Sequence, residues 1–310
     1  MNTATVLGRP RSLDNPGSTR WYSTDLGAAA VLLAPMIVLF CCSVIYPLFE
    51  TIRLSFFDVR GLGAPKFVGV GNYARLFTDP SFIQALKTTL IWTLATTILS
   101  VGIGWFLAVL CSFAPTVTAP LRVMIFCAYG IAEAVSGFIW LGIYRPDDSG
   151  MLNAALAAVG MGDFRNAWLG DVSSALWCLI AAYAWTQVGL PLMTCFASIR
   201  TIPKSIFEAA YIDGARPLSV MRFLLLPLSM PGLKVALFIN LLGSLRAFDM
   251  IFVLTGGGPV RSTETVGYFM YRESMLQFKL GYGAAATIIL LAAVLLVSIP
   301  MVLQRTRESR

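Results

Sequence analysis

The stretch 208–227, EAAYIDGARPLSVMRFLLLP, is much more polar than the apolar runs on either side of it. Glu208, Asp213, Arg216 and Arg222 crowd into it, between two long apolar runs. Taken alone, they read as the polar face of an ordinary amphipathic loop between those runs. Histidine is absent from the whole chain, which removes imidazole as metal ligand, general base or proton relay. Cys41, Cys42, Cys111, Cys127, Cys178 and Cys195 all fall in or beside apolar runs. A thiol there behaves as a small hydrophobe, and the spacing fits neither a metal site nor a disulfide framework. No G-x-x-x-x-G-K-[ST] run occurs, so the chain carries no phosphate-cradling loop for ATP.

A second polar group lies inside apolar runs. Glu133, Arg246 and Asp249 are charged; Thr186, Gln187 and Asn240 are neutral. A charge facing lipid is costly, so such residues turn toward a cavity, a partner or one another. Glu133, Gln187, Asn240 and Asp249 are candidates for contact with a solute, with structural pairing between helices as the alternative. Asp249 is favoured as a cap at an external turn. Arg246 and Asp249 are three apart, which on a helix puts them on one face, where each neutralises the other. Trp140, Tyr183 and Trp185 are candidates to stack on a sugar ring or to serve as packing and interfacial anchors.

Composition says what must position these residues. The chain has 310 residues, 57% hydrophobic and 13% charged, with mean hydropathy +0.75. Soluble domains carry about 25% charged residues. The expected fold is therefore all-α, a polytopic membrane bundle of six helices with a polar loop at 203–227. The net charge of +7 is scattered. It suits anionic lipid headgroups, not a nucleic-acid partner.

Apolar runs long enough to cross a bilayer lie at 26–49, within 88–121, at about 121–144, within 172–199, at about 232–254 and at about 284–303. Pro115 and Pro120 predict a tight turn after Phe113, and Pro191 a kink within the fourth run. The chain divides into a polar tail, 1–25; a first span with its external loop, 26–84; a permeation core, 85–303; and a short tail, 304–310. Loop 203–227 reads as helix, break, helix. Pro203 suits the first helical position, while Ser205 and Glu208 have capping-box spacing that would start the helix later. Asp213-Gly214 is the expected break. Ile202, Ile206, Ala209, Ala210 and Ile212 make a narrow apolar face.

Glu208-Ala209-Ala210, then Gly214, then Leu224 and Leu226-Pro227 resemble the EAA loop of ABC-importer permeases, with Leu224 where the family has Ile. Other segments extend the resemblance. GVGNYARLFTDPSF at 69–82 resembles the family's first external loop, and Gly150 with Asn153 resembles a "G-x-x-N" after its third helix. Phe248-Asp249 leading into Leu254-Thr255-Gly256-Gly257-Gly258-Pro259, and Gly281-Tyr282-Gly283 with three alanines, resemble the first permease of carbohydrate importers of the MalF/UgpA type. The family has proline near Glu133, so Glu133 is a departure. The three glycines and proline also read as an abrupt turn, one that lets another chain approach closely or simply ends a helix.

The resemblance implies a bacterial inner-membrane subunit with both termini and the 203–227 loop in the cytoplasm. Lys and Arg are spread too evenly to orient the chain by themselves. It implies a second, MalG/UgpE-like permease, two ATPase subunits that bind ATP and Mg, and an extracytoplasmic solute-binding protein. This chain itself would bind no cofactor. Glu208, Ala209, Ala210, Asp213, Gly214, Arg216, Leu226 and Pro227 would then couple it to the ATPases. The rival reading is an ion-coupled secondary transporter, which needs a relay of ionisable groups where only Glu133, Arg246 and Asp249 are available. A membrane enzyme ranks last.

Overall fold

The computed structural model describes residues 21–61 and 63–308. The predicted tail 1–25 therefore falls mostly outside the described residues, as do 309 and 310. Two units are distinguished, 1–50 and 51–310. The first contains α1 (Trp21–Phe40) and a π-helical turn (Cys41–Ile45) that runs directly into α2 (Tyr46–Ser55). Residues 29–55 are long and apolar enough to cross a membrane, and none from Ala29 to Glu50 is buried.

The second unit begins with a two-stranded antiparallel hairpin, β1 (Phe57–Asp58) and β2 (Lys66–Phe67), pairing Phe57 with Phe67. Next come α3 (Gly71–Thr78) and α4 (Pro80–Phe113). Asp79 caps α4 by accepting from the Ser81 N–H at 2.8 Å, and Pro80 occupies the first turn, where no N–H is needed. The turn after Phe113 is where the prolines predict it, and α5 (Ala119–Tyr129) follows.

Three predicted spans are broken rather than continuous. The third consists of α5 and α6 (Glu133–Ile143), bent by 102°. After α7 (Met151–Ala158), the fourth consists of α8 (Ala175–Gln187) and α9 (Gly189–Arg200), bent by 45°. This bend has the predicted cause. Pro191 supplies no N–H and crowds the carbonyl four residues back, at Gln187, where α8 ends. Loop 203–227 contains α10 (Lys204–Ile212) and α11 (Pro217–Val220). A π-helical segment (Met221–Leu225) then leads into α12 (Leu226–Leu228). A 69° bend leads on to α13 (Met230–Leu245).

The fifth run, expected as one helix over 232–254, stops at Leu245 and restarts as α14 (Asp249–Leu254). Arg246, Ala247 and Phe248 lie between the two helices, so the expectation that Arg246 and Asp249 share a helix face is wrong. No ion pair joins them among the described residues; Arg246 Nε instead donates to the Leu242 carbonyl at 3.3 Å. The chain continues through α15 (Val266–Tyr271) and a π-helical segment (Arg272–Leu276). It ends in α16 (Leu280–Glu308), which carries helix through the first residues of the expected tail at 304–310.

Close helix packing rests on glycines at contact points. A β-carbon on Gly104 of α4 would lie 2.5 Å from Pro191 Cβ, and one on Gly232 of α13 would lie 2.5 Å from the Thr194 carbonyl oxygen. Lipid gives helices no hydrophobic reason to associate, so close backbone approach through small residues does the work. Around these contacts α4, α9 and α13 pack together, with Val101, Leu192, Cys195 and Ala236 buried between them.

Candidate functional site

Loop 203–227 is built to present α10. Pro203 stands one residue before the helix, in extended conformation (ψ 137°), and Lys204 begins it. The later start at Ser205 is not used. Gly214 adopts φ +72°, the left-handed conformation that ends a helix at little cost only for glycine. The Ala215 N–H reaches back to the Ala210 carbonyl at 2.9 Å, closing the turn. Arg216 precedes Pro217, which opens the second helix.

The apolar face of α10 differs from the expected one. Phe207 and Ile202 pack against the α4–α9–α13 core, whereas Ile212 is 86% exposed and Tyr211 79%. Sequence reasoning passed over Phe207, whose aromatic ring one residue before Glu208 was the available signal. Glu208, Ala209, Asp213, Gly214 and Arg216 are all exposed. Glu208, Asp213 and Arg216 make no ion pair among the described residues. Downstream, Leu226 is half-buried and Pro227 exposed. The loop is pinned to the bundle at its far end, where Trp105 Nε1 of α4 donates to Ser229 Oγ at 2.9 Å in the 69° bend.

The intramembrane charges form a second constellation. Glu133 is the first residue of α6 and Asp249 the first of α14, each directly after a break. Arg246 caps the C-terminus of α13. Every one of these charges thus sits at the helix end whose dipole favours it. The helices that carry them also meet, since α6 packs on α14, with Gly137 close against Val253. Tyr183 is buried, with its ring tilted at 52° against Trp92 at 4.9 Å between centroids. Gln187 is half-buried at the end of α8. Asn240 is buried and bonds back to Ala236 of its own helix at 3.0 Å. Trp140 and Trp185 meet edge to face at 5.9 Å.

The opposite end of the bundle is closed by a cap. Asn72 Nδ2 donates to the Ser55 and Phe57 carbonyls, both at 2.9 Å. Tyr282 donates to Asp79 at 2.8 Å, and Arg261 to Ser81 Oγ at 2.6 Å. Glu264 is 1% exposed and accepts from Arg272 Nε at 2.7 Å. Burial pushes the Glu264 carboxyl up, against the pull of Arg272. For Asp79, burial alone would raise the carboxyl, but hydrogen bonds from Tyr282 and Ser81 outweigh it and hold it below the ordinary value. Gly256 and Gly257 make the expected turn with φ +54° and +79°. The ring of Tyr268 fills the space over Gly257, 2.8 Å from where a β-carbon would be. The room that the glycines leave is thus taken up by this chain itself. Gly281 likewise lies against the Phe57 carbonyl and Gly283 against Ser274.

Comparison with known proteins bears on this arrangement of broken spans, presented helix and closed cap. The family described as binding-protein-dependent transport system inner membrane component matches residues 100–309. The chain belongs to this family. The permease is 33% identical over 280 residues to a probable ABC transporter permease protein of Pyrococcus horikoshii, covering 90% of this chain and 95% of that one. It is 32% identical over 270 residues to the sn-glycerol-3-phosphate transport system permease protein UgpA of Agrobacterium fabrum, covering 86% and 90%. Its fold matches a solved bacterial ABC transporter involved in import of the acidic polysaccharide alginate, with TM-score 0.77, 20% identity and coverage of 94% and 99%. The permease is thus a helical inner-membrane transport component.

Proposed function

We propose that this permease forms half of the translocation pathway of an ATP-driven importer for a sugar or related carbohydrate, working by alternating access. The observation that carries the reading is α10. It is a short helix anchored by Phe207, ended by Gly214, and exposed at Lys204 and Glu208, which enter no ion pair among the described residues. Two ATPase subunits hold ATP and Mg and grip α10 of each permease. When they close on ATP, the two α10 helices move together and the bundle rocks as a rigid body toward the extracytoplasmic side. An extracytoplasmic binding protein delivers the solute, and a second, MalG/UgpE-like permease supplies the other wall of the pathway. The 203–227 loop and both termini are cytoplasmic in this reading. The carbohydrate assignment follows the UgpA relative and the MalF/UgpA resemblance of 248–286.

Glu133, Arg246 and Asp249 are the pathway charges. Carboxylates at the ends of broken helices accept hydrogen bonds from solute hydroxyls, and Arg246 balances one of them. Glu208→Lys or Gly214→Pro should abolish uptake and weaken ATPase docking while membrane insertion stays normal. Normal uptake by both variants would overturn the coupling role. Uptake that persists when ion gradients are collapsed but ATP is intact separates this reading from an ion-coupled carrier.

A further inference from the structure

The ends of α4 and α9 and the two helices of loop 203–227 enclose a cavity of about 420 Å³, within the size range of specific small-ligand sites. Its walls are mainly apolar, with Phe113, Ile199, Phe207 and Leu225 among them, and its charged lining residues are Arg200 and Lys204. Both cations are exposed and neither enters an ion pair among the described residues. The loop's carboxylates, Glu208 and Asp213, do not line it. The N-terminus of α10 opens beside Lys204 with no side-chain cap, so its free N–H groups add to the pull on an anion. A cavity of this kind suits a molecule with one anionic head and one hydrocarbon tail. The cavity lies where the apolar helices α4 and α9 end.

We propose that this cavity holds one anionic phospholipid, with its phosphate between Arg200 and Lys204 and an acyl chain against Phe113, Phe207 and Leu225. Basic pockets at helix ends on a membrane face are a known way to hold anionic headgroups. The lipid fills the space between α10 and the bundle and so seats the helix that is presented outward. The site requires only a membrane, so it holds whether or not α10 couples to an ATPase.

The test is a lipid count. The full chain, in the complex with which it is isolated, is stripped with mild detergent and titrated with phosphatidylglycerol or phosphatidylcholine of matched chains. Bound lipid is then read by native mass spectrometry. One phosphatidylglycerol should be retained in preference to phosphatidylcholine. Removing both charges, Arg200→Gln with Lys204→Gln, should weaken retention about thirtyfold, each alone about fivefold. Ser112→Phe, which fills the cavity from α4 without altering charge, should abolish it. Arg222→Gln, a basic residue of the loop outside the cavity, should leave it unchanged. Equal retention of the two lipids, or equal loss in the Arg222 variant, would overturn the proposal in favour of a diffuse surface charge. Displacement of the lipid by inorganic phosphate at matched concentration would reduce it to a free-anion site.

Discussion

The two ends of α4 are finished in opposite ways. At Pro80 most polar groups find partners within the chain, although Ser262 Oγ, one Glu264 oxygen and one Arg272 nitrogen are buried without a hydrogen bond. Arg261, Tyr282 and Asn72 bond across long sequence separations, and Glu264 is buried against Arg272. At Phe113 lies the 203–227 loop, where no residue from Pro203 to Leu224 is buried and no charge enters an ion pair among the described residues. Both ends contain similar residue types. The difference is that one end pairs most of its charges within the chain, while the other has charges in no ion pair among the described residues. Under the proposed coupling role, the absence of an internal ion partner fits a docking surface better than charge density does.

That contrast can be broken by experiment. Arg272→Ala leaves Glu264 buried without its partner and should cost about 3–5 kcal/mol of stability. Glu208→Ala at the open end should change stability by no more than about 0.5 kcal/mol. Thermal unfolding of the purified variants reads both, and equal losses would erase the distinction. Gly232→Leu drives a side chain into the Thr194 carbonyl and Ser198 and should cost about 1–3 kcal/mol by overpacking. Ser229→Ala removes the acceptor of the Trp105 indole at the joint between loop and bundle and should cost about 1 kcal/mol. The smallest effect is acid-dependent. The lowered carboxyl of Asp79 stabilises the cap at neutral pH, and this stabilisation is lost as pH falls below the ordinary carboxylate value of 3.8 through its depressed native pKa. Tyr282→Phe should flatten that loss in unfolding scans taken from about pH 5 down to about pH 1.

Much of the architecture is legible in residue order because it follows from one-residue rules. Apolar runs mark the spans, Pro115 and Pro120 mark a turn, Pro191 a kink and Gly214 a helix end. The breaks before Glu133 and Asp249 are not legible in the same way. No proline forces them, and an unbroken apolar run argues for a continuous helix. The charges themselves are the clue, because a carboxylate in a span is least costly where a helix starts. The apolar face of α10 was misread at Ile212 because periodicity gives which residues share a face and not which face meets the bundle; Phe207 decides that through tertiary contact. Asn72, Asn153 and Gly281 stood out as motif positions, and the structure gives each a local bonding or packing task.

Helix α4 runs for 34 residues with its one proline at the very start. At 1.5 Å per residue that is about 50 Å of uninterrupted rod, against a hydrocarbon layer of about 30 Å. Its neighbours across the bundle are jointed; it is not. A see-saw with a stiff plank needs no message passed along it. Under the proposed coupling role, a displacement at the loop end has no joint within α4 to absorb it before the cap end.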